Sequence, residues 1–145
     1  MIPPSEFTRR VMAAGNPGLR EIGVGSWEEE HPDEPRPIGE QYDEELLNEG
    51  DRRNVMDRYR YWSVEAIKKD LDERGRYGFE VAVENWTHDF NIGSIVRTAN
   101  AFTANAVHII GPKKWNRKGS LMTELYQHVH HHASIDEFID NLTAR

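Results

Sequence analysis

Residues 79–111 read FEVAVENWTHDFNIGSIVRTANAFTANAVHIIG, and this stretch decides the fold. Phe79 to Val83 is a short apolar-leaning run, long enough for one buried strand. Glu84 to Phe90 is polar and aromatic and reads as a loop. Asn91 is placed to cap a helix, because its side-chain oxygen accepts from an unpaired N–H of a first helical turn. Beyond it Ile92, Ile95, Val96, Ala99 and Phe102 fall at helical spacing, one apolar stripe to lie on a sheet. Val107 to Ile110 reads as a second strand closed by Gly111-Pro112. Strand, helix and strand within about thirty residues is the size of a crossover between parallel strands.

Three residues in this unit are not what packing alone selects. Asn91 stands at a helix start, where the backbone dipole favours an anion or an electron-rich group. Gly93, one turn in, costs a helix about 1 kcal/mol relative to alanine, so something is expected to approach the backbone there. Arg97 lies about 140° around the helix from Ile92 at about 100° per residue, off the core stripe. In an open parallel sheet ligands gather at the carboxyl ends of the strands, where the 84–91 loop must be. For Arg97 taken alone, a surface ion pair with Asp89 or an N-terminal acid is the plainer reading.

The spacing Asn91-x-Gly93-x-Ile95-x-Arg97-Thr98-Ala99 resembles the first motif of the SpoU (TrmH-like) branch of the SPOUT RNA methyltransferases. The resemblance extends over Val83-Glu84-Asn85, Ala101-Phe102, the strand into Gly111, and Lys113-Lys114-Trp115-Asn116. It implies transfer of a methyl group from S-adenosylmethionine to a ribose 2′-hydroxyl of tRNA or rRNA. Arg97 is then the motif arginine acting on the hydroxyl, with Asn91 holding the active-site loop or substrate. Glu84 and Asn85 line the same edge as substrate contacts. The later family motifs that form the trefoil knot and hold the cofactor are not found in the sequence. The expected fold is therefore α/β, a parallel sheet with crossover helices forming the first half of a SPOUT-type knotted domain. The expected domains are a mainly helical or loop-rich extension, 1–78, and the N-terminal part of the methyltransferase domain, 79–145. The chain alone is expected to lack cofactor binding and activity. Family members are homodimers joined through the knot, which leaves a homodimer as one assembly to test. The alternative is a non-catalytic RNA-binding or assembly module derived from the same family.

The 145 residues carry a net charge of −7, which argues against a simple electrostatic nucleic-acid binder. The charge is uneven: residues 1–78 hold 12 Lys+Arg against 18 Asp+Glu, and residues 79–145 hold 6 against 7. Lys113, Lys114, Arg117 and Lys118 cluster around Trp115, directly after the second strand. As a charge run this is a solvated loop; by its place at the sheet edge it is an RNA contact, with Trp115 a stacking aromatic. No apolar run approaches the ~20 residues of a membrane span, and no signal-peptide pattern opens the chain, so a cytoplasmic protein is expected. With no cysteine, disulfides, thiolate metal sites and cysteine nucleophiles are excluded. No Gly-x-Gly-x-x-Gly or phosphate-loop motif follows a strand, against a generic nucleotide-binding domain.

Elsewhere the patterns predict a helix over Ser5 to Ala14, a linker over 15–41, and a short helix over Asp43 to Asn48. An amphipathic helix is predicted from Asp51 to Tyr61, then a Ser63-capped helix from Val64 to Glu73 ended by Gly75. Tyr59, Tyr61 and Trp62 are expected to pack the extension onto the sheet domain rather than to meet a base. Ser120 to Tyr126 reads as a short helix. His128 to His132 reads as a strand with His128, His130 and His132 on one face. Such a trio admits zinc or a substrate contact, but neighbouring strand positions rarely converge tetrahedrally, and no metal is expected. Ser134 with Glu137 forms a capping box for a last helix with Ile135, Phe138, Ile139 and Leu142 inward.

Overall fold

In the computed structural model the residues described are 23–86 and 91–145, with Glu6, Arg9 and Ala13 as isolated positions. The helix predicted over 5–14 and the Asp89 partner considered for Arg97 lie outside them. The chain forms two compact units, 1–67 and 68–145.

In the first unit the linker holds one helical turn, α1 (Trp27–Glu30), started by the Ser26 capping box. Helix α2 (Glu44–Glu49) starts where predicted, with the Asp43 carboxylate accepting from the N–H groups of Glu45 and Leu46. The helix expected over 51–61 is absent, and one 3₁₀ turn at Asp57–Tyr59 stands in its place. The cause is Asp51, whose buried carboxylate accepts from the Arg53 backbone and guanidinium and from the Tyr61 N–H. A buried charge held by four donors outweighs the few tenths of a kcal/mol that a local helical pattern offers. Tyr59 and Tyr61 are buried; Tyr61 donates to the Gly25 carbonyl and packs edge-on to Trp27, while Tyr59 packs edge-on to Trp62. These contacts of the aromatics, with Gly25, Trp27 and Trp62, lie within this unit. Helix α3 (Val64–Arg74) follows and is ended by Gly75 at φ +87.

The second unit is the α/β domain the sequence predicts. Strands β1 (Tyr77–Glu84), β2 (Ala104–Ile110) and β3 (Val129–His132) form one sheet in that order, all parallel. Helix α4 (Asn91–Ala101) is the crossover from β1 to β2. Its Ile92, Val96 and Ala99 are buried against Val107 and Ile109 of β2. Helix α5 (Ile135–Thr143) starts from Ser134, whose hydroxyl accepts from the Glu137 N–H, and the Glu137 carboxylate accepts from the Ala133 N–H. Phe138 of α5 meets His108, which points oppositely to Val107 and Ile109 because strand side chains alternate. Helices α4 and α5 therefore cover opposite faces of the sheet.

Three apolar expectations are corrected. Phe102 is exposed, because α4 ends at Ala101 and Thr103 turns back in the left-handed region at φ 56. The predicted 120–126 helix is two 3₁₀ turns, Lys118–Ser120 and Thr123–Leu125, broken by Leu121 and Met122 at positive φ. On α5 only Phe138 is half-buried, while Ile135, Ile139 and Leu142 remain exposed.

Candidate functional site

The carboxyl ends of β1 and β2 are drawn together by backbone contacts. The Asn85 N–H donates to the Ile110 carbonyl at 2.7 Å. Gly111 sits at φ +106, and a Cβ there would stand 2.9 Å from the Asn85 carbonyl oxygen. Glycine is thus required both by conformation and by room.

Asn85, a predicted substrate contact, is a positioning residue instead. It is 2% exposed, and its amide donates to the carbonyls of Pro112 at 2.7 Å and Lys114 at 2.9 Å. Its Oδ1 is buried with no partner among the described residues. The side chain therefore pins the start of the basic segment to the end of β1. Glu84 is exposed at the same edge, where its carboxylate accepts the Trp86 indole N–H at 3.0 Å.

From that anchor Lys113, Lys114, Arg117 and Lys118 all project into solvent. Trp115 does not project with them. It is buried in the core cluster with Ile92 and Val96, so it cannot stack a base as the sequence suggested. Its outer face carries the Arg117 guanidinium, 5.3 Å from the ring centroid, a cation–π contact that orients that charge. The reason for the correction is that the chain turns inward after Lys114 to close the α4 face of the sheet.

What approaches Gly93 is the protein itself. A Cβ at Gly93 would stand 2.7 Å from the Ser120 backbone nitrogen and 2.9 Å from backbone atoms of Gly119. This contact lays the end of the basic segment against α4. Arg97 lies one turn further along on the same side of the helix. It is exposed and has no ion-pair partner among the described residues. Asn91 is the first residue of α4 rather than a residue before it. Asn85 thus ties the start of the basic segment to the end of β1, and the contact of Gly93 with Gly119 and Ser120 lays its end on α4, the helix that begins at Asn91 and carries Arg97.

Beside this edge, between α4 and the open side of β1, runs a groove of about 470 Å³ lined by Phe79, Val81, Asn91, Ile95, Thr98 and Phe102 among others. On the α5 face lies a separate titratable cluster that pattern reading missed. Buried His108 places Nε2 at 2.8 Å from the Glu80 carboxylate and Nδ1 at 2.8 Å from His132 Nε2. Arg145 pairs with the same carboxylate at 2.6 Å, and Asn105 donates to it at 2.8 Å. Arg145 first, then Asn105 and His108, hold the Glu80 carboxyl down to about 2. Burial, then His108, lowers His132 and His130. His130 and His132 share a face as predicted, stacking on His108 at 5.3 and 5.1 Å. His128 instead pairs with Asp72 at 2.8 Å. Among the described residues no group of three or more His, Asp or Glu side chains is arranged to hold a metal ion, and no helix is long and apolar enough to cross a membrane.

The parallel sheet with its crossover helix, an exposed helical arginine that has no ion-pair partner among the described residues, and a run of exposed cations after β2 make this unit an α/β domain. Residues 78–145 match the model of the SpoU rRNA Methylase family. The match, which covers that part of the chain alone, supports a SpoU-family RNA methyltransferase of the SPOUT superfamily. Searches of curated proteins and of solved structures return no match.

Proposed function

We propose that this protein takes part in methylation of a ribose 2′-hydroxyl of tRNA or rRNA, with S-adenosylmethionine as donor. The observation that carries the reading is Arg97, exposed and unpaired among the described residues, one turn from the glycine contact that lays the basic segment on α4. A ribose hydroxyl is a weak nucleophile at neutral pH and needs a positive field to stabilise the developing oxyanion. Arg97 supplies that field, and its fork also fits an adjacent phosphate. Lys113, Lys114, Arg117 and Lys118 hold the backbone on either side, and Asn91 offers an amide to the sugar. These contacts fix the acceptor; they read no sequence.

S-adenosylmethionine, the donor of this family, supplies an electrophilic methyl group. The groove between α4 and β1 does not fit it. Its polar lining among the described residues is Asn91, Ser94 and Thr98, with no charged side chain among them for the donor's ammonium and carboxylate ends. That misfit favours a second reading, an RNA-binding or assembly module without turnover. A homodimer, the family's assembly, and a cytoplasmic location, where tRNA and rRNA are met, belong to the leading reading.

The test is incubation with radiolabelled S-adenosylmethionine and bulk tRNA or rRNA, followed by nuclease digestion. The leading reading requires label in 2′-O-methylnucleosides, reduced about 10²-fold or more by Arg97→Ala. Label in a base, or full incorporation by Arg97→Ala, sinks it. Salt-dependent RNA binding with no incorporation selects the second reading.

A further inference from the structure

Trp86 is the most exposed aromatic side chain among the described residues, at 75%. It follows Asn85, which is buried and tied to the basic segment, so the backbone of residue 86 is held at the carboxyl edge of β1. Its single polar atom is already satisfied, because Nε1–H donates to the Glu84 carboxylate. The hydrogen bond pins the indole and leaves its flat faces as the unused chemistry. Isolated exposed aromatics are ordinary on protein surfaces. This one differs in being oriented by a carboxylate two residues away and in standing on the residue next to the Asn85 anchor.

We propose that Trp86 stacks a nucleobase of the RNA and that the target is therefore unpaired where it meets this edge. The inference rests on the RNA reading above and narrows its substrate class to single-stranded or looped RNA. An aromatic face accepts any base, since every base offers a π-face. Bases inside an A-form duplex are not available to a side chain in this way, whereas splayed bases of loops and ends are. The cations at 113–118 act on the phosphates of the same strand. Trp115, the aromatic that the sequence places among those cations, is withdrawn into the core, which leaves Trp86 to supply the stacking surface.

The experiment measures binding of the full chain to short fluorescein-labelled oligoadenylate, to a length-matched abasic ribose-phosphate polymer, and to an RNA duplex. Wild type, W86L and W86F are compared. Trp86 is exposed, so neither substitution removes core packing, and near-ultraviolet circular dichroism checks the fold. Expected is a loss of about tenfold for W86L on oligoadenylate, with W86F keeping most of the affinity. On the abasic polymer and the duplex W86L should match wild type. Equal affinity of W86L and wild type for oligoadenylate overturns the proposal. An equal loss on the abasic polymer also overturns it, by placing the indole on sugar or phosphate. Failure of wild type to bind any of the three overturns the RNA reading itself, a result distinct from the other two.

Discussion

Replacing Glu80 by glutamine tests the charged network that ties α5 to the sheet. The carboxylate receives the Arg145 guanidinium at 2.6 Å, the Asn105 amide at 2.8 Å and the His108 ring at 2.8 Å. Its folded pKa of about 2 lies below the ordinary 4.5. At about 1.4 kcal/mol per tenfold, that difference sets an upper bound of about 3 kcal/mol. Solvent reaches the carboxylate and the arginine, so about 1–2 kcal/mol is expected. The sign follows from proton binding. A carboxyl held low stabilises the folded state above 4.5, and the contribution is lost as pH falls from 4.5 toward about 2. His132 and His130 are also lowered, below 6.5. The unfolded chain therefore takes up their protons first, and stability declines as pH falls below 6.5. The two steps are separable. Urea unfolding of wild type and Glu80→Gln at pH 7 should differ by about 1–2 kcal/mol, and the difference should persist to pH 5, where only the histidine step acts. A difference under about 0.5 kcal/mol at pH 7, or one that has vanished by pH 5, would refute the reasoning. The ring hydrogen bonds add a spectroscopic check. A carboxylate only accepts, so His108 Nε2 must carry a proton, and with both rings neutral His132 Nε2–H donates to His108 Nδ1. Nitrogen-15 spectra at pH 8 should show both rings as the Nε2–H tautomer.

Gly93→Ala should destabilise by about 1–3 kcal/mol in urea unfolding, because the new Cβ meets backbone atoms of Gly119 and Ser120 that cannot rotate away. Helix propensity alone predicts a gain of about 1 kcal/mol, so the sign of the measured change decides between contact and propensity. Asn85→Ala removes both amide bonds to the 112–114 carbonyls and should cost about 1–3 kcal/mol. It should also raise amide hydrogen exchange in 113–118 and weaken RNA binding, without changing the number of phosphate contacts read from the salt slope.

The parts of this molecule legible in the sequence are those whose cause is local. The crossover from β1 to β2 follows from two apolar runs and a 3.6-residue stripe. The Ser134 cap on the Glu137 N–H reads directly because the two residues are three apart, although the Glu137 carboxylate takes the Ala133 N–H rather than that of Ser134. The anomalous glycine at 93 was legible too, though its partner, the Gly119–Ser120 backbone, was not. What pattern reading misplaced depends on residues distant along the chain. Asp51 turns a helical pattern into an extended loop because Tyr61 and Arg53 converge on it. Trp115 looks like a platform among cations until α4 supplies Ile92 and Val96 to bury it. Alternation puts His130 and His132 on one face, but it does not show that their partner His108 lies on another strand and reaches Glu80 on a third. An imidazole flanked by a second imidazole and a carboxylate satisfies its polar atoms without a metal. The same logic separates the two tryptophans: the one surrounded by charges in sequence is core, and the one that follows a buried asparagine is left at the edge with its ring faces open. At this edge the side chain that reaches solvent is chosen by which neighbour the fold anchors, so Asn85 determines the placement of both Trp86 and the basic segment.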